Sequence, residues 1–468
     1  MHTRHEKDPS NVTNPTDWTN DQTNPRNWTL LRKTTSTLII CAIGFTTTLA
    51  ASIYSPGHTQ VQHEFKTSTT VSLLPLSAYS LGLAFGPMIS SPCSETFGRK
   101  FVYLLTLPLF DIFMMGSGLS RSIASLIICR FFAGLFAAPG VSVAAATISD
   151  FTEPSQRVVP LAMYYSIPFV GSAIGPFIGG FVVEEKGWRW TAWVVLMMAA
   201  VFHPCALFLK ESYKTIILQR RARKAGVKTE TSSAAHKLRM LVTSTVVRPL
   251  HMLLTEPLVG FLCLYTGFQF ALLYTFVVAS PWVFKTVYGF SLGAQGLSFL
   301  GLVVGCMVAP VILITVDRVL LRYKPDQRDG IYNPERKLYT ALYGSLTLPI
   351  ALFWFGWTAR PSIHWISPII AQGTALLGSI LIYVPCNFYM LDVYGSRYGA
   401  SASGASSLSR YTMSAAFPLF VTQMYEGLGV GWATSTLGLA ALIMAPIPWL
   451  FYWFGPRLRA RSAYEHGT

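Results

Sequence analysis

Charged side chains are scarce in this sequence. Asp, Glu, Lys and Arg make up 12% of its 468 residues, whereas hydrophobic residues make up 51%. A soluble domain carries about 25% charged residues. The composition therefore excludes an ordinary soluble protein and indicates one that lies largely within a membrane.

Motifs that carry chemistry are also absent. The seven cysteines include no CxxC pair, so the sequence predicts neither a metal site nor a disulfide framework. No GxxxxGK[ST] segment is present to hold the phosphates of ATP. No nucleophile–base pair or metal-ligand spacing points to catalysis. We therefore expect a protein that is not an enzyme and has no cofactor.

Long apolar segments fill most of the chain. About 20 apolar residues form a helix that crosses the hydrocarbon core of a bilayer. The sequence predicts twelve such spans, at 34–55, 70–92, 101–120, 123–149, 158–184, 188–210, 253–280, 291–316, 338–358, 363–391, 399–425 and 430–455. We therefore expect an all-α membrane protein with twelve transmembrane helices.

The spans fall into two groups of six. The predicted division is a tail at 1–33, a six-helix bundle at 34–210, a basic linker loop at 211–252, a second bundle at 253–455 and a tail at 456–468. With both termini in the cytoplasm, 28 of the 36 Lys and Arg residues lie in cytoplasmic segments and 6 in external ones. This bias predicts cytoplasmic termini. Because the positive charge then faces anionic lipid, no nucleic-acid partner is expected.

Corresponding motifs at equal spacing indicate that the two halves are related. Span 4 ends at Asp150, and Pro176 follows 26 residues later within span 5. Span 10 ends at Asp392, and Pro418 follows at the same distance within span 11. Internal repeats of this kind are common in transporters.

Several motifs resemble those of the major facilitator superfamily. "SETFGRK" is similar to the signature between spans 2 and 3, and "RFFAGLFAA" to the signature of span 4. "GSAIGPFIGGFV" resembles the fifth-span signature of drug:proton antiporters. "NPRNW" and "LTEP" are similar to segments of the fungal twelve-span branch of that family. The resemblance extends over residues 24–460.

This resemblance implies a fold and a function. The fold is two pseudo-symmetric six-helix bundles around a cavity that opens to each side of the bilayer in turn. The function is proton-coupled efflux of a small hydrophobic or amphipathic compound, such as a secondary metabolite, mycotoxin or antifungal drug, across the plasma membrane. We expect a monomer. The alternatives are an uptake carrier or polyamine exporter of the same fold, and a non-transporting membrane receptor or sensor.

Charged residues at the cytoplasmic span ends are candidates for a conformational latch. Glu95 and Asp150 lie at helix C-termini, where the dipole disfavours an acid unless a cation compensates. Arg99 is an available cation, so we expect these three residues to form a latch that holds the two halves in one state. A topology signal alone is the alternative. Further candidates for a conformational role are Gly98, Arg157, Asp392 and Arg397.

Small residues follow one face of span 5. Gly171, Gly175 and Gly179 are spaced by four residues, which allows close helix approach, and Pro176 favours a bend. We expect this face to be a seam along which the halves rock. Ordinary tight packing is a compatible interpretation.

Charged side chains inside the spans are costly unless they pair with an opposite charge or contact water. Asp111 and Arg130 lie roughly 10–14 Å below the outer surface at 1.5 Å per residue, and we expect them to form a structural pair. If Arg130 faces the cavity instead, Asp111 is a candidate proton carrier. Arg410 has no obvious acidic partner, and it either binds an anionic or acceptor-rich substrate or braces the bundle. His203 is interpreted as a packed membrane histidine.

An aromatic cavity with few hydrogen-bonding groups is predicted between the halves. Such a cavity suits small amphipathic molecules and does not suit sugars or phosphates, which need many fixed donors. The remaining candidates for the substrate or proton pathway are Phe169, Gln269, Tyr274, Gln372, Asn387 and Tyr411.

Overall fold

Long apolar segments of the sequence form the predicted helices. The computed structural model describes residues 18–153, 156–224, 247–321 and 334–460. The first ten spans, numbered in chain order, are Leu30–Phe65, Thr69–Phe97, Arg99–Gly118, Ile123–Phe151, Val158–Lys186, Trp190–Phe208, Pro257–Tyr288, Leu292–Val319, Pro334–Thr358 and Ile366–Gly395.

Two glycine turns separate the last three spans. The helical segment Ile366–Ala416 is broken at Gly395 (φ 54°), and the segment Pro418–Met444 is broken at Gly429 (φ 74°). Glycine adopts a positive φ without the steric penalty of a side chain. Residues 396–428 therefore form span 11, and residues 430–459 form span 12.

Contacts of span 12 establish its direction. Trp357 donates a hydrogen bond to Ser435 (3.1 Å), and Arg459 donates one to Glu335 (2.8 Å). Span 12 is therefore antiparallel to span 9. The chain crosses twelve times as predicted, although only eleven described segments are long and apolar enough to be recognised by composition. The difference arises because the first half of span 11 is rich in Gly, Ser and Ala.

The outer surface of the bundle is apolar at the level of the spans. Val304, Val311 and Ile443 are more than 60% exposed, a pattern that suits contact with lipid. Span 7 has the opposite character, since 89% of its most apolar stretch of 18 residues is buried. It therefore lies inside the bundle.

The two halves are joined by hydrogen bonds at one face of the bundle. We call the face where span 1 begins and span 12 ends the terminal face, and the other the opposite face. At the opposite face, Ser55 donates a hydrogen bond to the carbonyl of Val277 (2.9 Å). The N–H of Gly293 donates to the Glu184 carboxylate (2.8 Å). The structure is therefore closed at the opposite face.

An ion pair recurs at the terminal face of each half. Arg99 at the start of span 3 pairs with Asp150 at the end of span 4 (3.2 Å). Lys337 near the start of span 9 pairs with Asp392 at the end of span 10. The equivalent positions of these pairs agree with the predicted relationship between the halves.

Candidate substrate site between the two halves

Arg410 lies at the centre of the second half, in span 11. Its Nε donates to the carbonyl of Ser406 (3.3 Å), its Nη2 donates to the Ser407 hydroxyl (2.9 Å), and its Nη1 donates to the Tyr383 hydroxyl. The residue is 5% exposed. The guanidinium is therefore buried and held in one orientation.

Three aromatic rings surround this guanidinium. Its central carbon lies 5.0 Å from the ring centroids of Phe270 and Tyr383 and 5.3 Å from that of Tyr411. Cation–π contacts of this kind contribute about 2 kcal/mol when they are desolvated. We call Arg410, Phe270, Tyr383 and Tyr411 the Arg410 cluster.

The first half contributes aromatic rings to the same region. Phe169 of span 5 packs on Phe270 and Tyr383, with centroid distances of 4.6 and 5.2 Å. Tyr165, one turn nearer the terminal face, packs on Tyr383 and Phe388 at 5.9 and 5.7 Å. These contacts form an aromatic layer between the halves. Phe169, a candidate for the substrate pathway, thus contacts the second half.

A small recess lies on the terminal side of this layer. Val158 and Leu313 contribute to its wall, together with Lys337 and Phe388. Phe388 is shared by the recess and the aromatic layer. Phe388 therefore connects the recess to the aromatic layer, which shares Phe270 and Tyr383 with the Arg410 cluster.

Polar candidates near the middle of the bundle fall into two groups. Both amide atoms of Gln372 have a partner, since the oxygen accepts a hydrogen bond from Ser280 (2.8 Å) and the nitrogen donates one to the carbonyl of Ser298. Asn387 donates to the carbonyl of Tyr383 (2.8 Å). These two amides have structural partners.

The second group has unused hydrogen-bonding capacity. Gln269 is fully buried, and neither its amide oxygen nor its amide nitrogen has a partner among the described residues. The Tyr411 hydroxyl is likewise buried and unpartnered there. Tyr274 differs, because its hydroxyl lies beside Ser80 and Ser172 of the first half. Buried polar groups are normally hydrogen-bonded, so Gln269 and Tyr411 are candidates to bind a ligand.

Arg130, in span 4, is buried within the first half. Its Nη1 donates to the carbonyl of Ala50 (2.8 Å), and its guanidinium lies over the rings of Tyr54 and Tyr79 at 4.9 and 5.5 Å. Its Nη2 has no partner among the described residues. The predicted pair with Asp111 is therefore wrong.

Asp111 instead faces His203. The Nδ1 atom of His203 lies 3.0 Å from the Asp111 carboxylate, which joins span 3 to span 6. His203 also packs edge-on against Phe110, so it is both packed and paired. The sequence carried no signal for this pair, because 92 residues separate its members.

The terminal-face cluster around Arg99 differs from the predicted latch. Arg99 contacts Asp150 as expected, and its Nη1 donates to the Ser94 hydroxyl (2.6 Å). Glu95 is exposed and makes no ion pair among the described residues. The acid that approaches Arg99 is Glu211, which accepts a hydrogen bond from the Arg99 N–H (2.9 Å). All these residues belong to the first half or to the segment that follows it, so the cluster does not join the halves in this conformation.

Gly98 is needed for this contact. Its φ of 103° lies in the range that favours glycine, and a Cβ at this position would lie 2.1 Å from Oε2 of Glu211. Arg157 binds elsewhere, donating to the carbonyls of Ser149 and Thr152 at the end of span 4. The side chain of Arg397 lies outside the described residues.

The glycine face of span 5 packs within the first half. A Cβ on Gly171 would lie 2.2 Å from Oγ1 of Thr48, and one on Gly175 would lie 2.0 Å from Oγ of Ser52. Thr48 and Ser52 both belong to span 1. Gly179 likewise faces span 1. The prediction that these three glycines form the seam between the halves is therefore wrong.

The neighbouring face of span 5 makes the contact with the second half. A Cβ on Gly180 would lie 2.7 Å from the carbonyl oxygen of Leu292 and 3.2 Å from the Cα of Gly296. The carbonyl of Pro176 also lies on the Gly296 side. Span 5 therefore uses two adjacent faces, one for span 1 and one for span 8.

Two related bundles around a buried, mixed aromatic and polar centre define a membrane transporter of the secondary type. The model of the Major Facilitator Superfamily matches residues 40–418. The chain belongs to this superfamily.

Fungal transporters are among its relatives. The Polyamine transporter 4 of Saccharomyces cerevisiae is 35% identical over 97% of this chain and 73% of its own length. The citrinin biosynthesis cluster MFS transporter mrr1 of Monascus ruber is 35% identical over 96% of this chain and 91% of its own. The efflux pump FUBT of Fusarium oxysporum is 37% identical over 96% and 76%. These relatives confirm the predicted family.

A solved structure confirms the fold. The proton:xylose symporter XylE, bound to 6-bromo-6-deoxy-D-glucose, superimposes with a TM-score of 0.67 over 91% of this chain and 97% of its own. The sequence identity is 16%, so this likeness applies to the fold alone.

Proposed function

We propose that this transporter exports small amphipathic organic compounds from the cytoplasm in exchange for protons. The observation that carries the proposal is the buried centre, where rings from both halves surround the Arg410 cluster. Rings suit the apolar body of such a compound, and the unpartnered groups of Gln269 and Tyr411 suit its few polar atoms. The efflux-pump names of several relatives support export as the direction.

The proposed setting is a monomer in the plasma membrane with the terminal face in the cytoplasm. The distribution of Lys and Arg supports this orientation. Export then requires that the closed opposite face open. The bonds that must break include those from Ser55 to Val277 and from Gly293 to Glu184. They are few, which suits a contact that forms and breaks in each cycle.

The coupling proton is assigned to Asp111 and His203. Asp111 is the one carboxylate in the middle of a span among the described residues, and its partner is itself titratable. An ionised carboxylate within the membrane is costly. Protonation of Asp111 removes its charge, and pairing with a charged His203 compensates that charge. Loss and gain of a proton at this pair would change the contact between spans 3 and 6.

Flux measurements in proteoliposomes test the proposal. The purified chain is reconstituted and offered a panel of anionic, neutral and cationic aromatic compounds, with and without an imposed pH gradient. At least one compound is expected to move against the proton flow faster than in protein-free vesicles. A transport rate that is the same with and without the pH gradient would contradict proton coupling. Absence of movement for the whole panel would favour a sensor.

A pair of variants isolates the proton step. Asp111→Asn is expected to abolish transport driven by the pH gradient and to retain counterflow, which needs no net proton transfer. Glu95→Gln removes an exposed carboxylate and is expected to leave both activities unchanged. Loss of counterflow in Asp111→Asn, with normal expression, would assign this residue a structural role instead.

A further inference from the structure

We infer that the substrate is an organic anion whose negatively charged group binds at the Arg410 cluster. This inference deepens the proposed function and rests on it. It starts from the charges buried within the bundle. Arg130 and Arg410 are 2% and 5% exposed, and no described carboxylate lies within 4.0 Å of either guanidinium.

The described acids lie elsewhere. Asp111 is bound to His203 between spans 3 and 6. Asp150 and Asp392 are at the terminal face, where each pairs with a cation. Glu184 is at the opposite face, where it binds the N–H of Gly293. The centre of the bundle thus carries positive charge without a matching negative one, an arrangement that favours an anionic ligand.

The donors around Arg410 are arranged to receive such a ligand. A guanidinium has five N–H groups, and the three hydrogen bonds of Arg410 leave two of them available among the described residues. The ring of Tyr411 packs on this guanidinium, and its hydroxyl has no partner among the described residues. A carboxylate accepts two parallel N–H bonds from one guanidinium, which makes this pairing strong and specific in direction. Tyr383 and Ser407 hold the guanidinium in place for it.

The rings define the rest of the ligand. Phe270 and Tyr411 belong to the cluster itself, and Phe169 adds a ring from the first half. A flat apolar body packs on such rings, while its ionised group reaches Arg410. The expected substrate is therefore an aromatic or otherwise planar acid in its ionised form.

The same charges disfavour a polyamine. An ammonium group needs a carboxylate or a ring free of competing cations, whereas the rings of the Arg410 cluster already face a guanidinium. We therefore do not infer a polyamine substrate from the similarity to a polyamine transporter. A direct comparison of the two charge classes decides the point.

A matched series of probes tests the inference. The probes are 2-naphthoate, 2-naphthamide and 2-naphthylmethylammonium, which share one ring system and carry negative, zero and positive charge. Binding to the purified full chain in nanodiscs is measured by equilibrium dialysis at pH 7.5. The naphthoate is expected to bind at least tenfold more tightly than either other probe. Equal or tighter binding of the ammonium or the amide would overturn the inference, as would absence of binding by all three.

Variants place the anion at Arg410. Arg410→Gln is expected to weaken naphthoate binding at least tenfold and to remove the preference for it, whereas Arg410→Lys retains part of the preference because it keeps the charge. Arg220→Gln removes an exposed cation of the linker and is the matched control, with unchanged binding. If Arg410→Gln fails to fold, Tyr383→Phe removes the hydroxyl that positions Arg410 while keeping the ring. A preference that survives in the folded variants would overturn the assignment.

Failure of this inference is distinguishable from failure of the proposed function. A chain that transports the ammonium probe and ignores the naphthoate remains a transporter with a different substrate class. A chain that binds the naphthoate through Arg410 but moves nothing keeps the anion site and loses the export activity.

Discussion

Glu211 Oε1 accepts a hydrogen bond from the backbone N–H of Arg99 at 2.9 Å. The same oxygen accepts from the N–H groups of Ser212 and Tyr213. Glu211 therefore ties the start of span 3 to the segment that follows span 6. A carboxylate at a helix N-terminus is also favoured by the helix dipole.

The first prediction concerns this contact. Glu211→Ala removes the acceptor of three hydrogen bonds and is expected to lower the stability of the first half by about 1.5–3 kcal/mol, the range for a hydrogen bond to a charged group. Glu211→Gln keeps an oxygen acceptor and is expected to cost less. Thermal unfolding in nanodiscs measures the stability of the unchanged protein, of Glu211→Gln and of Glu211→Ala, which should decrease in that order. Glu95→Gln is the control, and a Glu211→Ala protein as stable as this control would contradict the prediction.

The second prediction concerns the packing of span 5 on span 1. Gly175→Ala places a Cβ within 2.0 Å of Ser52 Oγ, 2.9 Å of the Ile53 nitrogen and 3.0 Å of the Leu49 oxygen. Because two of these atoms are backbone, the double variant Gly175→Ala/Ser52→Ala is expected to recover little of the lost stability. Gly427→Ala meets open space and should be neutral. The midpoint of thermal unfolding reports each effect, and full recovery in the double variant would show that only the hydroxyl matters.

The third prediction concerns the contact between the halves at the opposite face. Gly180→Ala places a Cβ 2.7 Å from the Leu292 carbonyl and 3.2 Å from the Cα of Gly296, so the closed arrangement becomes strained. We expect the population to shift toward conformations open at that face. A cysteine at Ser55, which is 1% exposed, reports the shift through faster labelling by a water-soluble maleimide. Labelling no faster than in Ser55→Cys alone would count against the role of Gly180.

The fourth prediction concerns pH and the N-terminal segment. A hydrogen bond from Arg221 lowers the pKa of Asp21 to about 2, from an ordinary value of 3.8. Because the folded-state pKa is depressed, the contact contributes fully above pH 3.8 and is lost as the pH falls toward 2. The distance between spin labels attached near Asp21 and Arg221, measured by electron paramagnetic resonance, is therefore expected to stay constant from pH 8 to 5. In Arg221→Gln the distance distribution should broaden at every pH, and a pH-dependent distance between pH 5 and 8 would refute the assignment.

Much of the architecture followed from local sequence properties. Span length and apolarity depend on short stretches of chain, so twelve helices could be predicted, including span 11 with its many small residues. The ion pair between Arg99 and Asp150 could be predicted because both residues lie at ends of helices on the same side of the membrane. The presence of buried charge at Arg130 and Arg410 was visible as well.

The partners of those charges could not be read in the same way. Position in a helix determines the depth and the face of a side chain, but the neighbouring helix on that face depends on how twelve helices pack. Asp111 therefore pairs with His203 rather than Arg130, and Glu211 takes the place expected for Glu95. The glycine face of span 5 could be identified by spacing, whereas only the packing decided that it meets span 1 and that Gly180 meets the second half. Sequence alone thus determined how many helices there are and which residues are costly to bury, and the tertiary structure decided which contacts compensate that cost.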